Sequence, residues 1–184
     1  GIATDAVMAG RLAAEHLLEL GHTEMAFIGP ASDVHAFRMR ERGFVVRLRE
    51  AGISLRSARL RRAPATVTGG RDAMRLLLAN GPRPTAVFCA NDLMAIGALK
   101  QALTAGLSLP ADLSVVGCDD IELARYVTPE LTTISVPARE LGARAARLLL
   151  QLIEQSTQRV SASRLLPVRL VTRGSSGRAP AAVA

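Results

Sequence analysis

Residues 86–120 read AVFCANDLMAIGALKQALTAGLSLPADLSVVGCDD, and this stretch decides the fold. An apolar run, Ala86 to Ala90, meets Asn91-Asp92 and gives way to a helical pattern. After Gly106 and Pro110 a second apolar run, Leu113 to Val116, ends at Gly117-Cys118-Asp119-Asp120. Two short β-rich runs separated by a helix predict a βαβ unit in a parallel sheet. Parallel neighbours end on one edge of the sheet, and ligands of open α/β sheets sit outside the carboxyl ends of the strands. Asn91 and Asp119 are therefore expected to face one crevice, one offering an amide and the other a carboxylate. Each also has a plainer reading. Asn91 suits a helix N-cap, and Asp119-Asp120 suit a turn and cap before residues 121–126.

The same alternation continues on both sides. Asp5 opens a helical stretch in which Ala9, Leu12, Ala13, His16, Leu17 and Leu20 share a face, with Gly21 as the C-terminal cap. His16 lies on that apolar stripe and reads as a packed core histidine. Met25 to Gly29 is a short buried strand. A helix follows to about Gly52, burying Phe44, Val45 and Leu48, with Arg40 near its start. Arg40 reads equally well as a donor to a ligand at the strand end or as an ordinary surface arginine. Arg56 to Ala63 is an expected edge strand, and Thr66 to Asn80 a helix closed by Gly81, Pro82 and Pro84. Residues 129–137 are extended. The next helix carries a stripe of Leu141, Ala145, Leu148, Leu149 and Leu152 and runs to about Gln155. Residues 156–163 read as a polar linker, residues 166–172 as a last strand, and Gly174 onward as a disordered low-complexity tail. The first and last helices have apolar stripes with no strand beside them in sequence, and such stripes need a cover.

Bulk properties narrow the function. At 184 residues the chain forms one ordinary domain or most of two small lobes. Its core rests on Leu, Val, Ile and Ala, because aromatics are only 3% and Trp is absent. The formal net charge is +7, and all but one of the 23 basic residues are arginine. The arginines cluster at 38–49 and 56–62, either a nucleic-acid surface or a solvated helix face and sheet edge. The one aromatic among them, Phe44, belongs to the buried face of its helix, so stacking of single-stranded bases has no support. Cys89 and Cys118 have no metal-ligand spacing and read as reduced core thiols. No apolar run approaches the length of a membrane span. An enzyme would have to enlist Asp119-Asp120 and His35, and no nucleophile–base spacing or phosphate loop accompanies them. No cofactor or metal is expected. The start, Gly1-Ile2-Ala3, lacks an initiator Met and reads as a point inside a longer chain.

Several stretches, in order, carry a family likeness. They are Asp5 with Gly10-Arg11-Leu12-Ala13, His16-Leu17-Leu18-Glu19-Leu20-Gly21-His22, Arg40-Glu41-Arg42-Gly43-Phe44, and Pro84-Thr85-Ala86-Val87-Phe88 with Asn91-Asp92 and Ala95-Ile96-Gly97. Pro110 to Asp120, Pro129 with Leu131-Thr132-Thr133-Ile134, and Leu170 to Ser175 complete the set. Over roughly residues 2–175 the chain resembles the effector-binding region of the LacI/GalR family of bacterial transcriptional regulators. Ala6 departs from an asparagine common in the family. Cys118 departs from the usual Phe or Tyr, which leaves the ligand's identity open.

The resemblance implies an α/β fold: a parallel-sheet, periplasmic-binding-protein-like lobe, with helices from an incomplete second lobe. It implies residues 22–133 and 164–175 as the C-terminal lobe, 1–21 and 134–163 as remnants of the N-terminal lobe, and 176–184 as the tail. Arg40, Asn91 and Asp119 match the family's ligand-binding arginine, asparagine and aspartate. The implied ligand is a small polar, sugar-like effector. A homodimer and a cytoplasmic location are implied, as is operator DNA bound only through a separate N-terminal reader. The alternative is a periplasmic sugar-binding receptor of a transport system.

Overall fold

A computed structural model describes residues 1–154 and 164–181. The linker expected at 156–163 lies outside the described residues. Six strands form the main sheet. They are β2 (Met25–Pro30), β3 (Leu60–Ala63), β4 (Ala86–Cys89), β5 (Ser114–Asp119), β6 (Thr132–Ser135) and β8 (Arg169–Val171), in the order β3-β2-β4-β5-β6-β8. Every pairing is parallel except β6 with β8. A separate two-stranded sheet pairs β1 (Ile2–Thr4) with β7 (Arg164–Leu166). Residues 56–63 split into a 3-10 turn, Ser57–Arg59, and the edge strand β3.

The parallel strands are apolar on both faces because helices cover both. Helices α1 (Ala6–Glu19) and α2 (His35–Glu50) cover one face, together with Met25, Phe27, Phe88, Val116 and Cys118. Helices α3 (Val67–Ala79) and α4 (Asp92–Thr104) cover the other, together with Ala26, Ile28, Val87, Cys89 and Val115. Phe27, Phe44 and Phe88 form an aromatic cluster on the first face, with ring centroids 5.2–6.1 Å apart. Cys89 and Cys118 are free thiols facing opposite sides of the sheet. Burial raises the pKa of both, so neither is a ready nucleophile.

Each helix pair crosses through glycine. A Cβ on Gly10 of α1 would lie 1.8 Å from the Arg40 carbonyl oxygen of α2, and one on Gly43 of α2 would lie 2.0 Å from that of Val7. On the other face Gly70 meets Met94 and Gly97 meets Val67 at similar distances. Only residues without a Cβ let these backbones touch.

Three expectations need correction. Helix α1, expected within an N-terminal lobe remnant, packs on the main sheet: Ala9, Ala13, Ala14 and Leu17 are fully buried against α2 and the six-stranded sheet. Only β1, within residues 1–21, pairs outside that sheet. The returning segment is two strands, parted at Pro167; β7 joins β1 and β8 joins β6. Residues 174–181 are held rather than loose. The Ser175 hydroxyl donates to the Val115 carbonyl at 2.6 Å and accepts from the Thr132 amide at 2.8 Å. The Ala179 amide donates to the Leu20 carbonyl. Helix α5 (Ala138–Glu154) does keep its apolar residues exposed, among them Leu149, Leu150, Leu152 and Ile153.

Two buried histidines fasten that C-terminal segment. His16 Nε2 shares a hydrogen bond with the Ser176 hydroxyl at 2.8 Å. His22 Nδ1 meets the Thr85 hydroxyl, and its Nε2 meets the Ser114 hydroxyl and the Gly177 carbonyl, all within 3.1 Å. Burial lowers the pKa of both rings below the usual 6.5. The unfolded chain then takes up protons that the folded chain refuses, between 6.5 and the lowered folded value. Stability is complete above about pH 6.5 and falls as pH drops through that window. Thermal unfolding followed between pH 7.5 and 5 should show a falling Tm, and His22→Gln should flatten the slope.

Candidate functional site

The carboxyl ends of β2, β4, β5 and β6 share one rim of the sheet, as parallel pairing requires. Arg40 reaches this rim from α2 with its side chain only 7% exposed. Its guanidinium spans two strand ends. Nη1 donates to the Ala90 carbonyl beyond β4 at 2.5 Å, and Nη2 donates to Asp119 Oδ1 at the end of β5 at 2.7 Å. The ring of Phe37 packs 5.4 Å from the guanidinium carbon, within cation–π range. Arg40 Nε is buried with no partner among the described residues.

Asn91 follows Ala90 directly and is buried. Its Oδ1 accepts from the Met94 amide at 2.9 Å, so it does cap α4. Its amide nitrogen donates to nothing among the described residues and stays available. Arg40 and Asp119 are thus in contact, and Asn91 adjoins the carbonyl that Arg40 holds. Cys118 is fully buried in the core beneath the rim.

The backbone under Asp119 is strained. Asp119 has φ 127° and Asp120 φ 55°, a region that costs a non-glycine residue on the order of 1–3 kcal/mol. Such strain persists only where neighbours over-determine it. Asp120 pairs with Arg173 at 2.6 Å, both side chains about nine-tenths buried, and Arg173 also donates to the Leu131 carbonyl. The Ile121 amide donates to Asp92 Oδ2 at 2.9 Å. Asp92 itself is fully buried, and its Oδ1 accepts from the Thr133 hydroxyl. Sequence reasoning passed over Asp92 and Arg173. An aspartate after a capping asparagine is explained by the cap alone, and an arginine near the chain end carries no local signal.

Burial raises the carboxyl pKa of both Asp92 and Asp119. For Asp119 the Arg40 charge works the other way without overcoming the burial. Asp119 is about one-third exposed at its side chain, so its charge reaches solvent at the rim. The two carboxylates that an enzyme might have enlisted are each committed to an arginine.

Beside the rim, the start of α2 borders a cavity of about 400 Å³, within the range of small-molecule sites. His35 and Met39 line it from α2, Thr4 and Asp5 from the start of the chain, Leu141 from α5 and Leu165 from β7. No described helix is long and apolar enough to cross a membrane. No described group of His, Cys, Asp or Glu could hold a metal ion.

A doubly wound parallel sheet with buried polar side chains gathered at its carboxyl rim defines an open α/β protein of the class whose ligands sit at that rim. The family model for the periplasmic binding protein-like domain matches residues 14–176, so the chain belongs to that family. It is 38% identical over 174 residues to the ribose operon repressor of Escherichia coli strain K12, covering 95% of this chain and 52% of the repressor. Among solved structures it resembles a LacI family transcriptional regulator from Enterococcus faecium with bound ribose, with TM-score 0.86, 34% identity and coverage of 96% of this chain and 65% of that one. It also resembles the transcriptional regulator CelR in complex with cellobiose, with TM-score 0.89, 34% identity and coverage of 95% and 53%. The chain spans about half the length of the repressor it matches.

Proposed function

We propose that this chain is the effector-sensing part of a LacI-type transcriptional regulator, and that Arg40, Asn91 and Asp119 bind a small polyhydroxylated effector, sugar-like in chemistry. The observation that carries this reading is the bridge made by Arg40. One buried guanidinium ties the end of β4 to the carboxylate at the end of β5. A ligand hydroxyl can donate to Asp119, and its oxygens can accept from the Asn91 amide and from Arg40. A neutral polyol supplies both kinds of group, and a site built for such hydrogen bonds rejects ligands that leave them unpaired. Ribose and cellobiose in the related regulators support that ligand class.

In the whole regulator the effector closes one lobe against the other and shifts the balance between lobe arrangements. That shift acts only through different affinities for the two arrangements. A homodimer then presents two DNA readers to a two-fold operator differently, in the cytoplasm. The repressor name of the relative supports this reading over a transport receptor.

A thermal-shift screen with ribose, cellobiose, sorbitol and hypoxanthine tests it. A ligand at 100 times its Kd adds about 2.7 kcal/mol, equivalent to a Tm rise of roughly 5–10 °C for a chain of this size. No shift from any sugar or polyol at millimolar concentration would sink the proposal.

A further inference from the structure

We infer that Asp92 is a positioning residue for effector recognition: its buried carboxylate holds the Asp119–Ile121 turn in the conformation that sets the Asp119 carboxylate against Arg40. This rests on the effector-binding reading of Asp119. Asp92 touches no open space, being fully buried, so it acts through other residues.

The geometry is specific. Asp92 Oδ2 accepts from the Ile121 amide, immediately beyond the two residues with positive φ. Asp92 Oδ1 accepts from Thr133 on β6 at 2.5 Å. A Cβ on Gly117 would come within 2.2 Å of the same Oδ1, so glycine there leaves room for the carboxylate. Asp92 is thus wedged between α4, β5 and β6, and one of its two oxygens reaches the turn. On the far side of the turn Arg173 holds Asp120. The two anchors hold Asp120 and Ile121, the residues that follow Asp119, and neither is a ligand contact. The strained backbone they fix gives Asp119 its aim. Without the Ile121 anchor that turn relaxes toward ordinary dihedrals, and the carboxylate swings off Arg40.

Asp92→Asn can keep both contacts. Its oxygen accepts from the Ile121 amide, and its NH2 donates to the Thr133 hydroxyl. Asp92→Ala keeps neither. Calorimetric titration with ribose should therefore give a Kd about 10- to 100-fold weaker for Asp92→Ala, as expected for one misplaced buried hydrogen-bonding group. Asp92→Asn should stay within about 3-fold of the unaltered chain, because its two hydrogen bonds persist. A second readout needs no ligand. Carbon NMR of the Asp119 carboxyl should show its titration midpoint in Asp92→Ala displaced from that in Asp92→Asn, as its distance from Arg40 changes; both variants lose the same neighbouring charge, so that contribution cancels between them. If the unaltered chain takes up no ribose, the ribose reading fails and the carboxyl titration alone judges Asp92. Should Asp92→Ala not fold, Gly117→Ala displaces the same carboxylate and is expected to move the Asp119 midpoint. An Asp92→Ala chain with a lowered Tm, the Asp119 midpoint of Asp92→Asn and unaltered ribose affinity, or a Gly117→Ala chain with a lowered Tm but the midpoint and affinity of the unaltered chain, would make Asp92 purely structural and overturn the inference.

Discussion

An Arg40→Ala chain is expected to show no rise in Tm at ribose concentrations that shift the unaltered chain by several degrees. Two effects add. The first is direct loss of the donors offered to ligand oxygens. The second is release of Asp119, whose carboxylate is aimed by the Nη2 contact. Loss of a charge-assisted partner in a buried site costs binding by 100-fold or more on the usual scale of about 3 kcal/mol. The ligand-free fold should weaken as well. Breaking a buried pair typically costs about 3–5 kcal/mol, but Asp119 is one-third exposed and solvent relieves part of that, leaving roughly 1–3 kcal/mol. Arg40→Lys is the informative companion. A single ammonium cannot reach the Ala90 carbonyl and the Asp119 carboxylate with a planar fork, so it should restore stability better than binding. Ribose binding by Arg40→Ala at unaltered affinity would remove Arg40 from the site.

The βαβ unit from Ala86 to Asp120 was legible because two apolar runs and an intervening helical period leave few alternatives. The meeting of Asp119 with the neighbourhood of Asn91 followed from strand polarity alone. The contact with Arg40 needed the family motif, because nothing local separates a ligand arginine from a surface one. What composition hid was packing by small and polar groups. The stretch from Gly174 to Ala181 reads as low complexity, yet it is fastened through backbone groups and two serine hydroxyls. The stripe on α1 showed that the helix must be covered, not by what. Its partners are α2, the next helix along, and β8, about 150 residues away in the chain. The available clue was Gly10 inside an otherwise helical pattern, since an internal glycine costs helix stability and needs a packing reason.

That clue leads to the larger stability prediction. Gly10→Ala places a methyl 1.8 Å from the Arg40 carbonyl oxygen and 2.6 Å from the Phe44 amide nitrogen. Both are backbone atoms, so no side chain can rotate away. Helices α1 and α2 must separate by an ångström or more, opening the contacts among Leu17, Phe44 and Phe88 that lie beneath. Overpacking of this kind costs about 3 kcal/mol or somewhat more, a Tm loss of roughly 6–12 °C for a chain of this size. Gly142→Ala is the control. It lies in α5 with nothing within 4 Å, and should stabilise by about 0.5–1 kcal/mol through helix propensity. The displaced residue in Gly10→Ala is Arg40 itself, so ribose affinity should fall together with Tm. Gly69→Ala makes an equally close clash with the Pro64 carbonyl oxygen, at 2.0 Å, on the opposite face. It sits on α3, which carries none of the three residues proposed to bind the effector, and should cost comparable stability while leaving the Kd for ribose nearly unchanged. Equal loss of ribose affinity in the two variants would mean that binding follows global stability rather than the placement of Arg40 by the α1–α2 crossing.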